Sequence, residues 1–144
     1  MNVAYHLSVF VVNEPGKLEK ITHVLADAGL NIRAISVASA GQFGVVRVLV
    51  NDPEAGYTAL KAHSFTVTKR RILVASIPDV PGAMHDLLVT LSAKAVNVED
   101  CYGFVMEEGS RAAIVLEVEK FPEAESMLGE TKIHLISDKE IYGL

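Results

Sequence analysis

The feature that most constrains this chain is that it repeats itself. Asn13-Glu14-Pro15-Gly16 opens one segment, and Asp79-Val80-Pro81-Gly82 opens another 66 residues later. Carried forward, that spacing lays Leu18, Ile21 and Leu25 on Met84, Leu87 and Leu91, and Asn31-Ile32 on Asn97-Val98. A three-residue insertion in the second copy lengthens the spacing to 69, which sets Pro53-Glu54-Ala55 on Pro122-Glu123-Ala124. A period of this length marks a duplicated domain and not a solenoid unit. The expected domains are residues 1–70 and 71–144.

Each copy reads as the same order of elements. Residues 5–12 are rich in Val, Leu and aromatics, as a strand requires. Asn13 to Gly16 forms a turn, with Pro15 suited to a first helical position. Leu18, Ile21, Leu25 and Ala28 recur at helical spacing and predict one apolar stripe facing a sheet. Gly29 suits the left-handed residue that closes a helix. Strands follow at 31–39 and 43–50, then a helix with Asp52 as N-cap and Pro53 in its first turn, then a strand at 64–68. The second copy gives strands near 72–77, 97–106, 111–119 and 131–136, with helices near 82–94 and 122–129.

The order βαββαβ predicts an α+β, ferredoxin-like sandwich, built twice. Two helices should cover one face of each four-stranded antiparallel sheet. Strand 43–50 is apolar on both sides, with Val46, Val48 and Val50 on one and Val45 and Leu49 on the other. The face away from the helices should therefore be covered too, by module pairing within the chain or between two chains. Two-fold pairing makes a homodimer the expectation. The basic run Lys69-Arg70-Arg71 reads as a solvated strand edge or linker at the module boundary.

Charge and cysteine content narrow the function classes. The formal net charge is −5, without the basic excess of a nucleic-acid binder. No apolar run approaches the ~20 residues that span a membrane, and the first residues lack a signal-peptide pattern. With one cysteine, Cys101, no internal disulfide forms, and a cytoplasmic location is expected. Cys101 is predicted to be a buried, inert thiol, because no histidine is placed to activate it. Its neighbours Tyr102 and Phe104 share one sheet face and read as core or interface packing. The five histidines form no metal-ligand spacing, although His85 follows the second Pro-Gly turn closely enough to reach a ligand there. No Gly-rich phosphate loop occurs, and no cofactor or metal is expected.

The turn before each first helix carries the functional reading. A helix N-terminus offers unpaired N–H groups and partial positive charge, which suits an anion. Gly16 and Gly82 let the backbone approach a ligand closely. Asn13 and Asp79 add polar acceptors, and Asn31 and Asn97 stand at the start of the second strand. Together these groups match an amino-acid zwitterion. They equally make a good strand-to-helix turn and nothing more.

The chain resembles the ACT domain, a ligand-binding regulatory module of this fold. The resemblance rests on Asn13-Glu14-Pro15-Gly16 with Leu18, on Gly29-Leu30-Asn31-Ile32, and on Asp79, Pro81-Gly82, Met84 and Asn97-Val98 in the second copy. Phe43-Gly44-Val45-Val46-Arg47, Asp52-Pro53-Glu54 and the closing Glu140-Ile141-Tyr142-Gly143-Leu144 are similar to stand-alone tandem ACT proteins. The resemblance implies a non-catalytic, allosteric amino-acid sensor that binds at interfaces between paired modules and acts on a partner metabolic enzyme or transporter. Carried over residue by residue, the implied ligand contacts are Asn13, Glu14, Pro15, Gly16, Lys17 and Leu18 with Asn31 and Ile32. In the second copy they are Asp79, Pro81, Gly82, Ala83 and Met84 with Asn97 and Val98. The second copy departs from the pattern in two places: Ala95 replaces the helix-closing glycine, and Glu107-Glu108-Gly109-Ser110 lengthens a hairpin. The two sites need not be equivalent. A ligand-free dimerisation subunit and a small enzyme on this fold stand as alternatives, the latter without a converging acid, base or nucleophile set.

Overall fold

A computed structural model describes residues 4–107 and 110–143. Residues 108 and 109 of the lengthened hairpin, and the terminal Leu144 of the closing segment, lie outside the described residues. The described chain divides into two compact units. One holds Tyr5–Arg70 with Tyr142 and Gly143; the other holds Ala4 with Arg71–Ile141.

The first unit runs β1 (Ala4–Val12), α1 (Lys17–Asp27), β2 (Ile32–Ala40), β3 (Phe43–Val50), α2 (Pro53–Ala62) and the opening of β4 (Thr66–Pro78). Its strand order is β2-β3-β1-β4. Both β1 and β2 run antiparallel to β3, with Val9 opposite Val46 and Val37 opposite Val46 from the other side. Alternation along the strands decides the core. Leu7 and Val9 of β1 and Val46, Val48 and Val50 of β3 meet Ile21, Val24 and Leu25 of α1 and Leu60 of α2. The helical stripe therefore differs from the expected one: Val24 joins it, while Leu18 and Ala28 are exposed at its ends. Helix α1 stops at Asp27, so both flanking positions lie in the first turn or beyond the last one. Gly56 sits mid-helix in α2 because a side chain there would press on the sheet: a Cβ would lie 2.8 Å from Leu7 Cδ1. Asp52 caps α2, its side chain accepting the Ala55 N–H at 3.1 Å.

The opposite face of this sheet carries Phe10, Phe43, Val45 and Leu49 but also His6, Ser8 and Arg47, and is unevenly covered. Leu49 is fully buried, whereas Phe10 is 50% and Phe43 66% exposed. Tyr142, from the closing helix α5 (Asp138–Gly143), returns to the first unit, where its hydroxyl accepts the Tyr5 N–H at 2.8 Å.

Strand β4 runs through the expected boundary. The expected strands 64–68 and 72–77 are parts of one strand, with Lys69, Arg70 and Arg71 inside it, so no linker separates them. Its start is displaced to Thr66 because Ser64 takes a left-handed φ of 66° closing α2. The second unit continues with α3 (Ala83–Ala93), β5 (Val98–Glu107), β6 (Arg111–Val118), α4 (Phe121–Gly129) and β7 (His134–Leu135). Its order is β7-β4-β6-β5. Leu73 and Ala75 of β4 and Ile114 and Leu116 of β6 pack with Leu87 and Leu91 of α3 and Phe121, Ala124 and Leu128 of α4. Strand β7 is two residues long, shorter than the expected 131–136. Thr131 bonds back to Leu128 O and to the Ile133 N–H, which spends these residues on the turn out of α4. Among the described residues, no helix is long and apolar enough to cross a membrane.

Candidate functional site

Both first helices are entered through a glycine in the left-handed region. Gly16 has φ 86° and ψ −9°; Gly82 has φ 87° and ψ −15°. Nothing lies within 4 Å of where a Cβ would stand at either position, so backbone conformation, not crowding, demands glycine there. The turns are fastened alike. The Asn13 N–H donates to Gln42 O at 2.7 Å, and the Asp79 N–H donates to Ser110 O at 2.9 Å. Among the described residues no side chain caps α1 or α3; the Lys17 and Ala83 N–H groups donate to Glu14 O at 3.4 Å and Val80 O at 3.3 Å, and no side chain serves the amides that follow.

The polar residues of the turns have other work as well. Asn13 Nδ2 donates to Gly41 O at 3.2 Å and ties the turn to the β2–β3 hairpin. The Asn31 N–H donates to Asn51 Oδ1 at 2.9 Å, and Asn97 O accepts the Glu119 N–H at 3.1 Å. Asn13, Glu14, Pro15, Leu18, Asn31, Asp79, Pro81, Gly82 and Asn97 are exposed, and Lys17, Ile32, Met84 and Val98 are half-buried.

Three concavities sort these residues. In the first unit a pocket of about 370 Å³ is lined by Gly16, Glu19, Lys20, His23, His63 and Phe65. In the second, a pocket of about 440 Å³ takes in Pro81 and Ala83. Asn97 and Val98 line a separate, open depression with Leu88 and Ser92. The turn residues and the strand-two asparagine of one copy do not share any of these three concavities. His85 is exposed on α3 and lines none of them.

Five residues that sequence reasoning did not single out line the larger pocket: Ser76, Asp86, Arg111, Lys132 and His134. Arg111 is fixed in place, with Nε donating to Ser76 Oγ at 2.6 Å and Nη2 to Ser76 O at 2.9 Å. A signal for them lay in the differences between the copies: Asp86 stands where the first copy has Lys20, and His134 where it has Phe65.

Cys101 is exposed on β5, not buried as expected. It pairs with Leu116 on an outer strand of the sheet, so only one flank is covered. Partial burial still pushes its thiol pKa up, and the Asp100 carboxylate adds to the rise. Such a thiol is a poor nucleophile near neutral pH.

The site geometry defines a tandem pair of ferredoxin-like modules, each presenting an uncapped helix entry beside a pocket. The sequence places that pair in a family: residues 1–144 match the ACT domain pair, and the chain belongs to it. It is similar to protein BT0572 from Bacteroides thetaiotaomicron, at 34% identity and a TM-score of 0.91, over 99% of this chain and 97% of that one. The regulatory subunit of aspartate kinase from Thermus thermophilus, in a ligand-free form, shares the fold at 16% identity and a TM-score of 0.64, over 90% and 97% of the two chains. The corresponding subunit from Thermus flavus does so at 17% identity and a TM-score of 0.56, over 90% and 96%. Among proteins of curated function none matches the sequence.

Proposed function

We propose that this chain is a non-catalytic regulatory protein of two ACT modules, residues 1–70 and 71–144, that binds a free amino acid at ACT–ACT interfaces. Occupancy biases how modules pair and thereby changes contact with a partner, a metabolic enzyme or transporter. The observation that carries this reading is the twofold occurrence of one turn conformation, with φ 86° at Gly16 and φ 87° at Gly82, opening an uncapped helix each time. Amides of a helix's first turn are the donors a carboxylate seeks. Asn31 and Asn97 are exposed and would complete such a site from a facing module. The exposed apolar residues Phe10, Val12 and Phe43 on the first sheet favour a homodimer.

A thermal-melt screen against each proteinogenic amino acid at millimolar concentration tests the reading. A ligand at about 100 times its Kd adds roughly 2.7 kcal/mol to the native state. For a chain of this size that raises the melt by several degrees. Leu18→Glu and Met84→Glu assign the response to one copy, since neither side chain is fully buried. A shift with no amino acid at all overturns the reading and leaves the ligand-free dimerisation subunit.

A further inference from the structure

Spacing along the sequence gives the histidines no metal-ligand pattern, because such a pattern on one helix cannot include a residue from another. In the first unit two helices bring a pair of them to one place. Glu19 and His23 stand four residues apart on α1, neighbours on its surface, and both line the pocket of about 370 Å³. His63, which closes α2, lines the same pocket. We infer that Glu19, His23 and His63 form a binding site for a divalent transition-metal ion of the zinc class.

The hydrogen bonds of the two imidazoles carry the inference. A backbone carbonyl only accepts, so the 2.9 Å contact between His63 Nδ1 and Ala59 O makes Nδ1 the protonated nitrogen. The lone pair of neutral His63 is then on Nε2. His23 Nε2 stands 3.3 Å from the Asp27 carboxylate, one turn further along α1. A neutral His23 that donates there keeps its lone pair on Nδ1. A metal-binding histidine almost always gives its second N–H to a carboxylate, a backbone carbonyl or water, which fixes the tautomer and makes the ligating nitrogen more basic. His23 has the first kind of partner and His63 the second. Two imidazoles and a carboxylate suit Zn2+, which takes four ligands in a tetrahedron and completes such a set with water.

Glu19, His23 and His63 are exposed, so an ion reaches them from solvent. Their ligand atoms do not all stand within 4.8 Å of one another. The ion closes the site by side-chain rotation, and the entropy of ordering three surface side chains sets its affinity below that of a closed structural zinc centre. Lys20 also lines the pocket, on a flexible, exposed stem that lets its ammonium turn to solvent. An ion held this way joins the first half of α1 to the end of α2. Gly16 borders the pocket, so the site adjoins the first turn, yet none of the three ligands belongs to the amino-acid contacts given above. In the second copy His85, Val89 and Lys132 stand at the positions of Glu19, His23 and His63, which removes both histidine ligands. One such site per chain is expected.

The experiment is a calorimetric titration of the full chain with Zn2+ alone, after the protein has been stripped with EDTA and the chelator removed. One saturable site per chain is expected, with imidazole 15N shifts at His23 Nδ1 and His63 Nε2. His23→Ala, His63→Ala and Glu19→Gln each weaken Zn2+ by about tenfold or more. Asp27→Asn, which alters the partner of His23 and no ligand of the ion, weakens it by about tenfold. His85→Ala leaves it unchanged. All five positions are exposed, and an unaltered metal-free melt confirms that each variant folds as the wild type does. Zn2+ binding that survives His23→Ala or His63→Ala intact overturns the inference, as does the absence of saturable binding up to millimolar Zn2+. The amino-acid melt screen, run in EDTA, is independent of these outcomes, so the ion site and the proposed function fail separately.

Discussion

Helix α1 ends through Gly29 at φ 74°, and helix α3 ends through Ala95 at φ 55°. The hydrogen bonds around the two are the same. The Gly29 N–H donates to Ala26 O at 2.9 Å and the Leu30 N–H to Leu25 O at 3.0 Å; the Ala95 N–H donates to Ser92 O at 2.9 Å and the Val96 N–H to Leu91 O at 2.9 Å. The second copy thus keeps a glycine's conformation with an alanine. For an L-residue the left-handed region costs about 1–2 kcal/mol. Replacing glycine by alanine also removes freedom from the unfolded chain, which offsets about 0.4–1 kcal/mol. Nothing lies within 4 Å of a Cβ built on Gly29, so no clash enters the comparison. Ala95 is exposed, so little burial is lost on removing its methyl group. Ala95→Gly is therefore expected to stabilise the protein by about 1 kcal/mol, and Gly29→Ala to destabilise it by about the same amount. That corresponds to roughly 4 °C in Tm in either direction. Ala95→Asn should fall between, since asparagine tolerates this region. Equilibrium unfolding in urea, read by circular dichroism, measures all three. If Ala95→Gly is neutral or destabilising while Gly29→Ala loses stability, the left-handed closure of α3 is wrong and the argument fails with it.

Two further outcomes follow from single contacts. Gly56→Ala gains about 1 kcal/mol of helix propensity but drives a Cβ to 2.8 Å from Leu7 Cδ1 and 3.4 Å from Val50 Cγ2. Overpacking of about 1–3 kcal/mol outweighs the gain; a chemical-melt loss is expected, with partial recovery in Gly56→Ala/Leu7→Val, and a stabilised single variant would refute the close approach. For Cys101 the raised thiol pKa favours the protonated form, so iodoacetamide should react more slowly than with free cysteine at pH 7.5 and accelerate as pH climbs past the usual thiol range. Asp100→Asn should speed the reaction at fixed pH; an unchanged rate would discard the carboxylate's part.

The backbone was the legible part of this chain. Asp52 as a cap and the β3 alternation of Val46, Val48 and Val50 act through local geometry and are found where it puts them, and the Pro-Gly pairs do form the turns, although Pro15, expected at a first helical position, stands before the Gly16 N-cap of α1. What was not legible depended on neighbours distant in sequence. The Lys69-Arg70-Arg71 run reads as a linker or strand edge because it is polar; the two units do divide within it, at Arg70 and Arg71, but a strand continues through it when its backbone finds partners. Cys101 looks buried because β5 is apolar in part, but its strand lies on the outside of β6. The pocket residues Ser76, Asp86, Arg111 and Lys132 come from four different elements or connections and share no spacing. Only the fold brings them together.

That division has a consequence for how a duplicated module diverges. A glycine at φ 86° or 87° dictates the path of the chain whatever surrounds it, so both copies keep the same entry to their first helix. The side chains beside that entry carry no such duty, and there the copies part: Lys20 and Phe65 in one, Asp86 and His134 in the other. A change of charge at one pocket wall alters which ion is welcome by a like-for-unlike exchange, at almost no expense in folding, because both Lys20 and Asp86 are exposed. The same backbone device can then present two chemically distinct surfaces in one chain.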